Sequence, residues 1–294
     1  MRVIGLVLAL TLMPLVAEAQ PAGRSYRMSF LALTPGEDAT LMKAFQERLH
    51  ELGYSEGKNM TFEYRSAEGR PERLPQLAME LVQARPDVLI AGFGTLAAQA
   101  AKAATTTTPI VFTTVGDPVG AGLVASLGHP GGNVTGLTDQ ASDLGGKRLQ
   151  LLQELLPGKQ VVAVLMNPDT PFTRLAYMGV KTAAEGGHVR LEVLEARTAG
   201  QVSSRVEATA KAGATGLLVL EDPLTYSTRR QISELAAKLR LPAIYGYKEF
   251  VEAGGLMSYG TDRRQIYRRA AEYVRITVPS LLQALALSGE AAGI

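Results

Sequence analysis

The chain has 294 residues, with 30 basic and 28 acidic side chains, a formal net charge of +2 and no cysteine. A charge this close to balance gives no case for a nucleic-acid partner, and the lack of cysteine excludes disulfides, a thiol nucleophile and a lipid-modified cysteine. This length suffices for one large domain or two ordinary ones, each with its own hydrophobic core.

The first 19 residues have the composition of a secretory signal peptide. Arg2 provides a positive start, residues 3–16 are almost wholly apolar, and residues 17–19 (AEA) form a small-x-small cleavage pattern. The alternative is an N-terminal membrane anchor, but the apolar run is shorter than the roughly 20 residues that a span needs. We therefore expect residues 1–19 to be removed and the mature chain to be a soluble, non-lipidated protein of the periplasm.

Apolar runs typical of strands alternate with amphipathic helical runs through the first half of the chain. The predicted strands are residues 28–33, 60–66, 87–91 and 109–115, and the predicted helices are 37–52, 71–83 and 95–104. Continuous apolar strands such as residues 87–91 are typical of a parallel sheet that is covered on both faces. This order indicates βαβ units.

The same order recurs in the second half. The predicted strands are 161–166, 189–194, 216–220 and 242–247, and the predicted helices are 173–185, 200–212, 226–239 and 262–276. The last helix carries a basic cluster, Arg263-Arg264 with Arg268-Arg269, which we interpret as a solvated helix face. The fold class is therefore α/β, with two doubly wound parallel-sheet lobes.

Two short segments bracketed by glycine, 131–138 and 254–260, fit neither half. Glycine lets a backbone absorb changes in φ and ψ, so we interpret them as hinge strands that join the lobes. The predicted N-terminal lobe comprises residues 26–135 plus 261–294, and the C-terminal lobe comprises residues 136–260.

The sequence offers no pattern for catalysis. His50, His129 and His188 do not fall at metal-ligand spacing, and the chain has neither a G-x-S-x-G elbow nor a phosphate-binding loop. The G-x-G-x-x-A motif of residues 92–97 resembles a dinucleotide fingerprint, but it follows the third strand of its half rather than the first. We therefore expect no catalytic residues, no metal and no cofactor.

Ligands of open α/β sheets bind beyond the carboxyl ends of the strands. The candidate ligand-binding residues are the polar and backbone-opening residues at those ends: Thr34, Pro35, Gly94, Thr95, Gly116, Asp117, Thr138, Asp139, Asn167, Asp169, Asp222 and Tyr247. Thr95 is expected to cap its helix, whose N-terminal end favours a carboxylate, while aspartates suit an ammonium. This combination fits a zwitterion such as an amino acid, although for any single aspartate a turn role is an equal alternative.

Several motifs together resemble those of one family. They are residues 67–70 (AEGR), 118–127 (PVGAGLVASL), 130–136 (PGGNVTG), 145–149 (GGKRL), 241–245 (LPAIY) and 250–260 (FVEAGGLMSYG). Across residues 26–274 the chain resembles the substrate-binding proteins of ABC transporters, whose best-known members are of the tryptophan and tyrosine type. The resemblance implies a type I periplasmic-binding-protein fold, capture of a small molecule by hinge closure, and delivery to an ABC permease in the inner membrane. We expect the protein to act as a monomer.

The resemblance breaks down at the end of the chain. Relatives continue after the last helix with a further strand and helix, whereas here residues 277–282 (TVPSLL) follow Ile276 at once. The first lobe is therefore predicted to lack these elements and to expose a sheet edge. Three alternative functions use the same architecture: a periplasmic sensor module for a membrane receptor, a doubly wound enzyme, and the ligand domain of a cytoplasmic repressor.

Overall fold

The computed structural model describes residues 25–34, 39–92, 94–139, 141–158, 160–211 and 213–290, without the side chains of 141–143, 210, 211 and 278–290. The predicted signal peptide and Pro35 lie outside these residues. In the described part of the chain, no helix combines the length and the apolar composition that a membrane span requires.

The first sheet contains five parallel strands in the order β2-β1-β3-β4-β5. Its elements are β1 (Tyr26–Ala32), α1 (Ala39–Glu51), β2 (Met60–Ser66), a 3₁₀ turn (Pro71–Arg73), α2 (Leu74–Gln83), β3 (Val88–Ala91), α3 (Thr95–Ala104), β4 (Ile110–Val115) and β5 (Val134–Thr138). This sheet and its helices form the first lobe.

The second sheet also contains five parallel strands, in the order β10-β9-β8-β6-β7. Its elements are α4 (Ala141–Gln153), β6 (Val161–Met166), α5 (Pro171–Gly187), β7 (Arg190–Glu195), α6 (Ala199–Lys211), β8 (Gly216–Val219), α7 (Pro223–Ser227), α8 (Arg229–Lys238), β9 (Ala243–Tyr245), α9 (Lys248–Glu252) and β10 (Met257–Ser258). These elements form the second lobe. The chain then returns to the first lobe as α10 (Arg263–Glu290), which packs against α1.

The middle strand of each sheet, β3 (VLIA) and β8 (GLLV), has no polar side chain and is buried at every position, so each sheet is covered on both faces. In the first lobe, Phe30 and Phe45 form a core with Tyr267 of α10, while Leu31 points to the opposite face, toward α2 and α3. The second lobe has a hydrophobic core on each face of its sheet. Successive residues of β8 point alternately into the core formed with α4 and α5 and into the core formed with α6 and α8. Alternation along the strands thus divides each lobe into three layers.

The architecture confirms the predicted fold class, two parallel α/β sheets with helices on both faces. The predicted hinge segments differ in their placement: β5 pairs with β4 in the first sheet, and β10 pairs with β9 in the second. The predicted lobe boundary between residues 135 and 136 therefore falls inside a strand. The connections between the lobes are the residues that follow β5 and β10.

Two further features differ from the sequence-based expectation. α4 was not predicted, because Gly145 and Gly146 lower its helix propensity; these glycines lie against α5, where close packing stabilises the helix. Arg263 is also not part of a solvated face, since it is only 1% exposed, whereas Arg264 and Arg269 of the same cluster are exposed.

Candidate ligand-binding site

A small cavity lies where the carboxyl ends of both sheets face each other, and we refer to it as the interlobe cavity. It is lined by Gly94, Thr95, Thr114, Gly116 and Asp139 of the first lobe and its outgoing connection, and by Thr170, Phe172, Glu221, Asp222, Pro223 and Tyr247 of the second lobe. Its volume is about 10 Å³, which is room for about one water molecule. The lobes therefore stand closed on one another, and a larger ligand requires them to separate.

The N-terminal end of α3 forms one side of the interlobe cavity. Here the structure corrects the sequence-based expectation: the N-cap is Gly94, with φ 107° and ψ 153°, and Thr95 is the first residue of the helix. Only glycine adopts this conformation without strain, and a Cβ at residue 94 would also come within 3.0 Å of Pro223 across the cavity. The positive end of the α3 dipole thus faces the space between the lobes.

An aromatic contact closes another side of the interlobe cavity. Gly116 follows β4, and the ring of Phe172, in the first turn of α5, lies directly against it. A Cβ on Gly116 would overlap this ring. The absence of a side chain at residue 116 therefore allows the second lobe to approach the first.

Asp139 and Tyr247 join the two lobes by a hydrogen bond. Asp139 follows β5, Tyr247 follows β9, and the phenol donates to Asp139 Oδ2 over 2.6 Å. Asp139 is 3% exposed, and its Oδ1 has no hydrogen-bond partner in the described part of the structure. Burial, and next the negative charge of Asp139, raise the pKa of Tyr247 well above its usual value, so the phenol stays protonated as the donor.

Asp222 has partners within the second lobe. Its carboxylate accepts hydrogen bonds from the backbone N–H of Leu224 at 2.8 Å, from Thr170 Oγ1 at 2.6 Å and from Asn167 Nδ2 at 3.3 Å. It is the N-cap of α7. Burial raises its pKa, and these hydrogen bonds oppose the rise. Asp222 therefore lines the cavity and also holds its hydrogen-bonded neighbours of the second lobe in place.

Glu221 forms a buried ion pair with Arg148 of α4. Their side chains are 2% and 1% exposed, and Arg148 Nη2 contacts Glu221 Oε1. Burial raises the pKa of Glu221 to about 7, the charge of Arg148 opposes this rise, and the charge of Asp139 adds to it. A buried carboxylate that titrates near neutrality is a recognised mark of a functional site.

A second buried arginine lies behind Tyr247. Arg263, the first residue of α10, stacks its guanidinium on the ring of Tyr226, 4.2 Å from the centroid, and on the ring of Tyr247, at 4.8 Å. Its Nη1 lies 4.0 Å from Glu249 Oε1. These contacts hold the start of α10 against the second lobe through cation–π attraction.

The structure brings together six of the candidate residues predicted from sequence and separates the others. Gly94, Thr95, Gly116, Asp139, Asp222 and Tyr247 line the interlobe cavity, whereas Thr34, Asp117, Thr138, Asn167 and Asp169 do not.

The candidates outside the cavity have local roles. Asp117 accepts a hydrogen bond from the backbone N–H of Gly120 at 2.8 Å and shapes a turn. Asp169 is exposed and lies 3.2 Å from Arg197. Thr138 donates to the carbonyl of Gly116 at 3.2 Å, Asn167 donates to Asp222, and the carbonyl of Thr34 accepts from Tyr64 at 3.4 Å.

Sequence reasoning did not select five residues that line the cavity: Thr114, Thr170, Phe172, Glu221 and Pro223. Glu221 and Thr170 follow strands β8 and β6, so the rule that selected their neighbours could have found them. Phe172 carried no such signal because it lies on a helix. Among the residues that the structure describes, no group of three or more acidic or histidine side chains is placed to hold a metal ion.

Comparison with known proteins identifies the family of the chain. The profile of the family described as ABC transporter substrate binding protein matches residues 34–278. A curated relative, "Tyrosine-binding protein" of Clostridioides difficile, is 29% identical over 231 residues, which are 78% of this chain but only 66% of that protein.

Two solved structures share the fold over most of their length. A conserved domain protein of Vibrio cholerae has a TM-score of 0.80 and 32% identity, covering 87% of this chain and 86% of its own. A complex of an ABC domain with L-Trp from a Streptococcus has a TM-score of 0.79 and 22% identity, covering 87% and 85%.

Proposed function

Because the chain belongs to the ABC transporter substrate-binding protein family, we propose that it captures an aromatic amino acid, L-tyrosine first among candidates, in the interlobe cavity. Members of this family are ligand-binding transport proteins rather than enzymes, and the proposal contains no covalent step. The lobes open to admit the ligand and close around it, and both lobes contribute contacts.

One observation carries the proposal: a buried carboxylate lies at the junction of the two lobes. Asp139 Oδ2 accepts the phenol of Tyr247, while Oδ1 has no hydrogen-bond partner among the described residues. A buried carboxylate oxygen without a partner is costly, and an ammonium group would satisfy it by a charge-assisted hydrogen bond. Asp139 is therefore the proposed receptor for the α-ammonium.

The carboxylate of a zwitterionic ligand also has a matching position in the cavity. The N-terminal end of α3, with Gly94 and Thr95 lining the cavity, offers a positive dipole end to a carboxylate. Phe172 offers an aromatic face that could leave Gly116 and pack on an aromatic side chain. The name of the curated relative, a tyrosine-binding protein, makes tyrosine the first ligand to test.

The proposed setting is the periplasm. The signal-peptide composition of residues 1–19 supports export, and the absence of cysteine from the whole chain leaves no residue for a lipid anchor. We propose that the closed, loaded monomer delivers its ligand to an ABC permease of the inner membrane.

Thermal unfolding of residues 20–294 with and without L-tyrosine tests this function. A ligand at 100 times its Kd adds about 2.7 kcal/mol to the free energy of unfolding, which raises Tm by several degrees at this chain length. Tyramine, which lacks the carboxylate, and 3-(4-hydroxyphenyl)propionate, which lacks the ammonium, should give smaller shifts.

The control is the Asp139→Asn variant, which keeps the shape of the side chain and removes its charge. It should unfold cooperatively and lose most of the shift with L-tyrosine. A cooperative transition that no aromatic amino acid moves would refute the proposed ligand class. An equal shift with 3-(4-hydroxyphenyl)propionate would refute the role of Asp139.

A further inference from the structure

Glu221 is buried at the cavity, where its carboxylate contacts Arg148. It follows β8 and is 3% exposed. The fold makes room for this carboxyl: a Cβ on Gly246 would overlap it. Burying a carboxylate in this way is costly, and the ion pair with Arg148 offsets only part of the cost.

The groups around Glu221 leave the closed cavity with excess negative charge. The charged and titratable groups that face it come from five elements: Arg148 of α4, Asp139 after β5, its neighbour Asp222 before α7, Tyr247 after β9, and Arg263 of α10 beyond Tyr247. Three carboxylates thus stand against two guanidinium groups. One of these, that of Arg263, is also engaged by Glu249 and by two tyrosine rings.

The ion pair also connects the two chain segments that run between the lobes. Arg148 lies on α4, the helix that begins just after the connection at Asp139. Its Nε donates to the carbonyl of Tyr259 over 2.6 Å, in the connection that leads back to α10. The charge state of Glu221 therefore acts on Arg148, and through it on both connections.

We propose that Glu221 is a positioning residue that links ligand capture to release of a proton. The cavity closes when its excess negative charge is neutralised, by a proton on Glu221 when the cavity is empty and by the ammonium of the ligand when it is occupied. This inference rests on the proposed function and deepens it.

The sign of the linkage follows from the charges. Burial raises the pKa of Glu221 to about 7 in the closed, empty cavity, and a bound ammonium favours the ionised carboxylate and lowers that pKa. Ligand affinity should therefore strengthen as pH rises through 7, by about tenfold between pH 6 and pH 8. At pH 7, binding should release about half a proton.

The first experiment measures closure without any ligand. The chain has no cysteine, so spin labels can be attached specifically at Met79→Cys of the first lobe and Met178→Cys of the second, both at exposed positions. The empty protein should shift toward the shorter interlobe distance as pH falls from 8 to 6. Glu221→Gln should hold the short distance at both pH values, and Glu252→Gln, at an exposed position of α9, should behave as the wild type.

The second experiment measures binding of L-tyrosine by calorimetry at pH 6, 7 and 8, in buffers of different ionisation enthalpy. Wild type should show the tenfold change and the proton release, and Glu221→Gln should show neither. An interlobe distance that does not change with pH, or a pH dependence retained by Glu221→Gln, would overturn the inference. If the distance responds to pH but L-tyrosine does not bind, the proposed ligand is wrong and the role of Glu221 is supported.

Discussion

Replacing Glu221 by glutamine should stabilise the protein at alkaline pH. Removal of a charged partner from a buried ion pair is ordinarily destabilising. Here, however, the pKa of Glu221 is raised to about 7, which means that the cost of desolvating the carboxylate outweighs its attraction to Arg148. Glutamine has the shape of the neutral acid and avoids the cost of ionisation.

The magnitude follows from the difference between the folded and unfolded pKa values of Glu221. These values are about 7 and 4.5, so between them the folded state binds more protons and its stability falls as pH rises. The stability that the raised pKa provides is fully present below pH 4.5 and is lost by about pH 7. The total is about 3 kcal/mol, at 1.36 kcal/mol for each pKa unit.

Urea denaturation at pH 8 and pH 5 measures this difference. Relative to wild type, Glu221→Gln should gain about 3 kcal/mol at pH 8 and less than about 1 kcal/mol at pH 5, with an unchanged m-value. Glu252→Gln, at an exposed position, should stay within about 0.5 kcal/mol of wild type at both pH values. A loss of stability in Glu221→Gln at pH 8 would show that the attraction of Arg148 outweighs desolvation and would refute the reasoning.

Three further predictions concern the interlobe cavity and the core. Gly116→Ala should weaken L-tyrosine binding about tenfold or more in calorimetry, because the added methyl group would meet the ring of Phe172. The control variant Gly128→Ala, whose methyl group would lie in open space, should bind as wild type. Equal affinities of the two variants would contradict the close approach of Phe172 to Gly116. Asp139→Asn should reduce the same affinity by about tenfold to a hundredfold, and an unchanged Kd would remove Asp139 from the site. Phe45→Ala should cost about 3–5 kcal/mol in urea denaturation, and a loss below about 1 kcal/mol would contradict its complete burial between α1 and the first sheet.

Much of the fold could be predicted from the sequence because the pattern is local. Strands such as β3 and β6 are continuous apolar runs, and the connections between them are helical and short, which together require parallel sheets covered on both faces. The confirmed fold class follows from this pattern. By contrast, α4 depends on packing against α5, and its glycines give it a low helix propensity, so the sequence alone does not predict this helix.

The candidate site was predicted in outline for a related reason. All strands of a parallel sheet end on the same edge, so the polar residues after them must lie near one another. This reasoning found Asp139, Asp222 and Tyr247, which line the interlobe cavity. Their role as ligand contacts stays a prediction until binding is measured.

The direction of each side chain was decided only by the tertiary structure. Asp117, Asp169 and Asp222 share a sequence context, because each has a proline neighbour after the end of a strand. Asp117 nevertheless shapes a turn, and Asp169 contacts Arg197 at the surface.

Glu221 acquires its high pKa because folding buries it and brings the charge of Asp139 near it, against the opposing charge of Arg148. The burial of a residue and the electrostatic environment around it both depend on neighbours that are distant in the chain. The sequence therefore determined where polar groups gather, and the fold determined which of them are buried together.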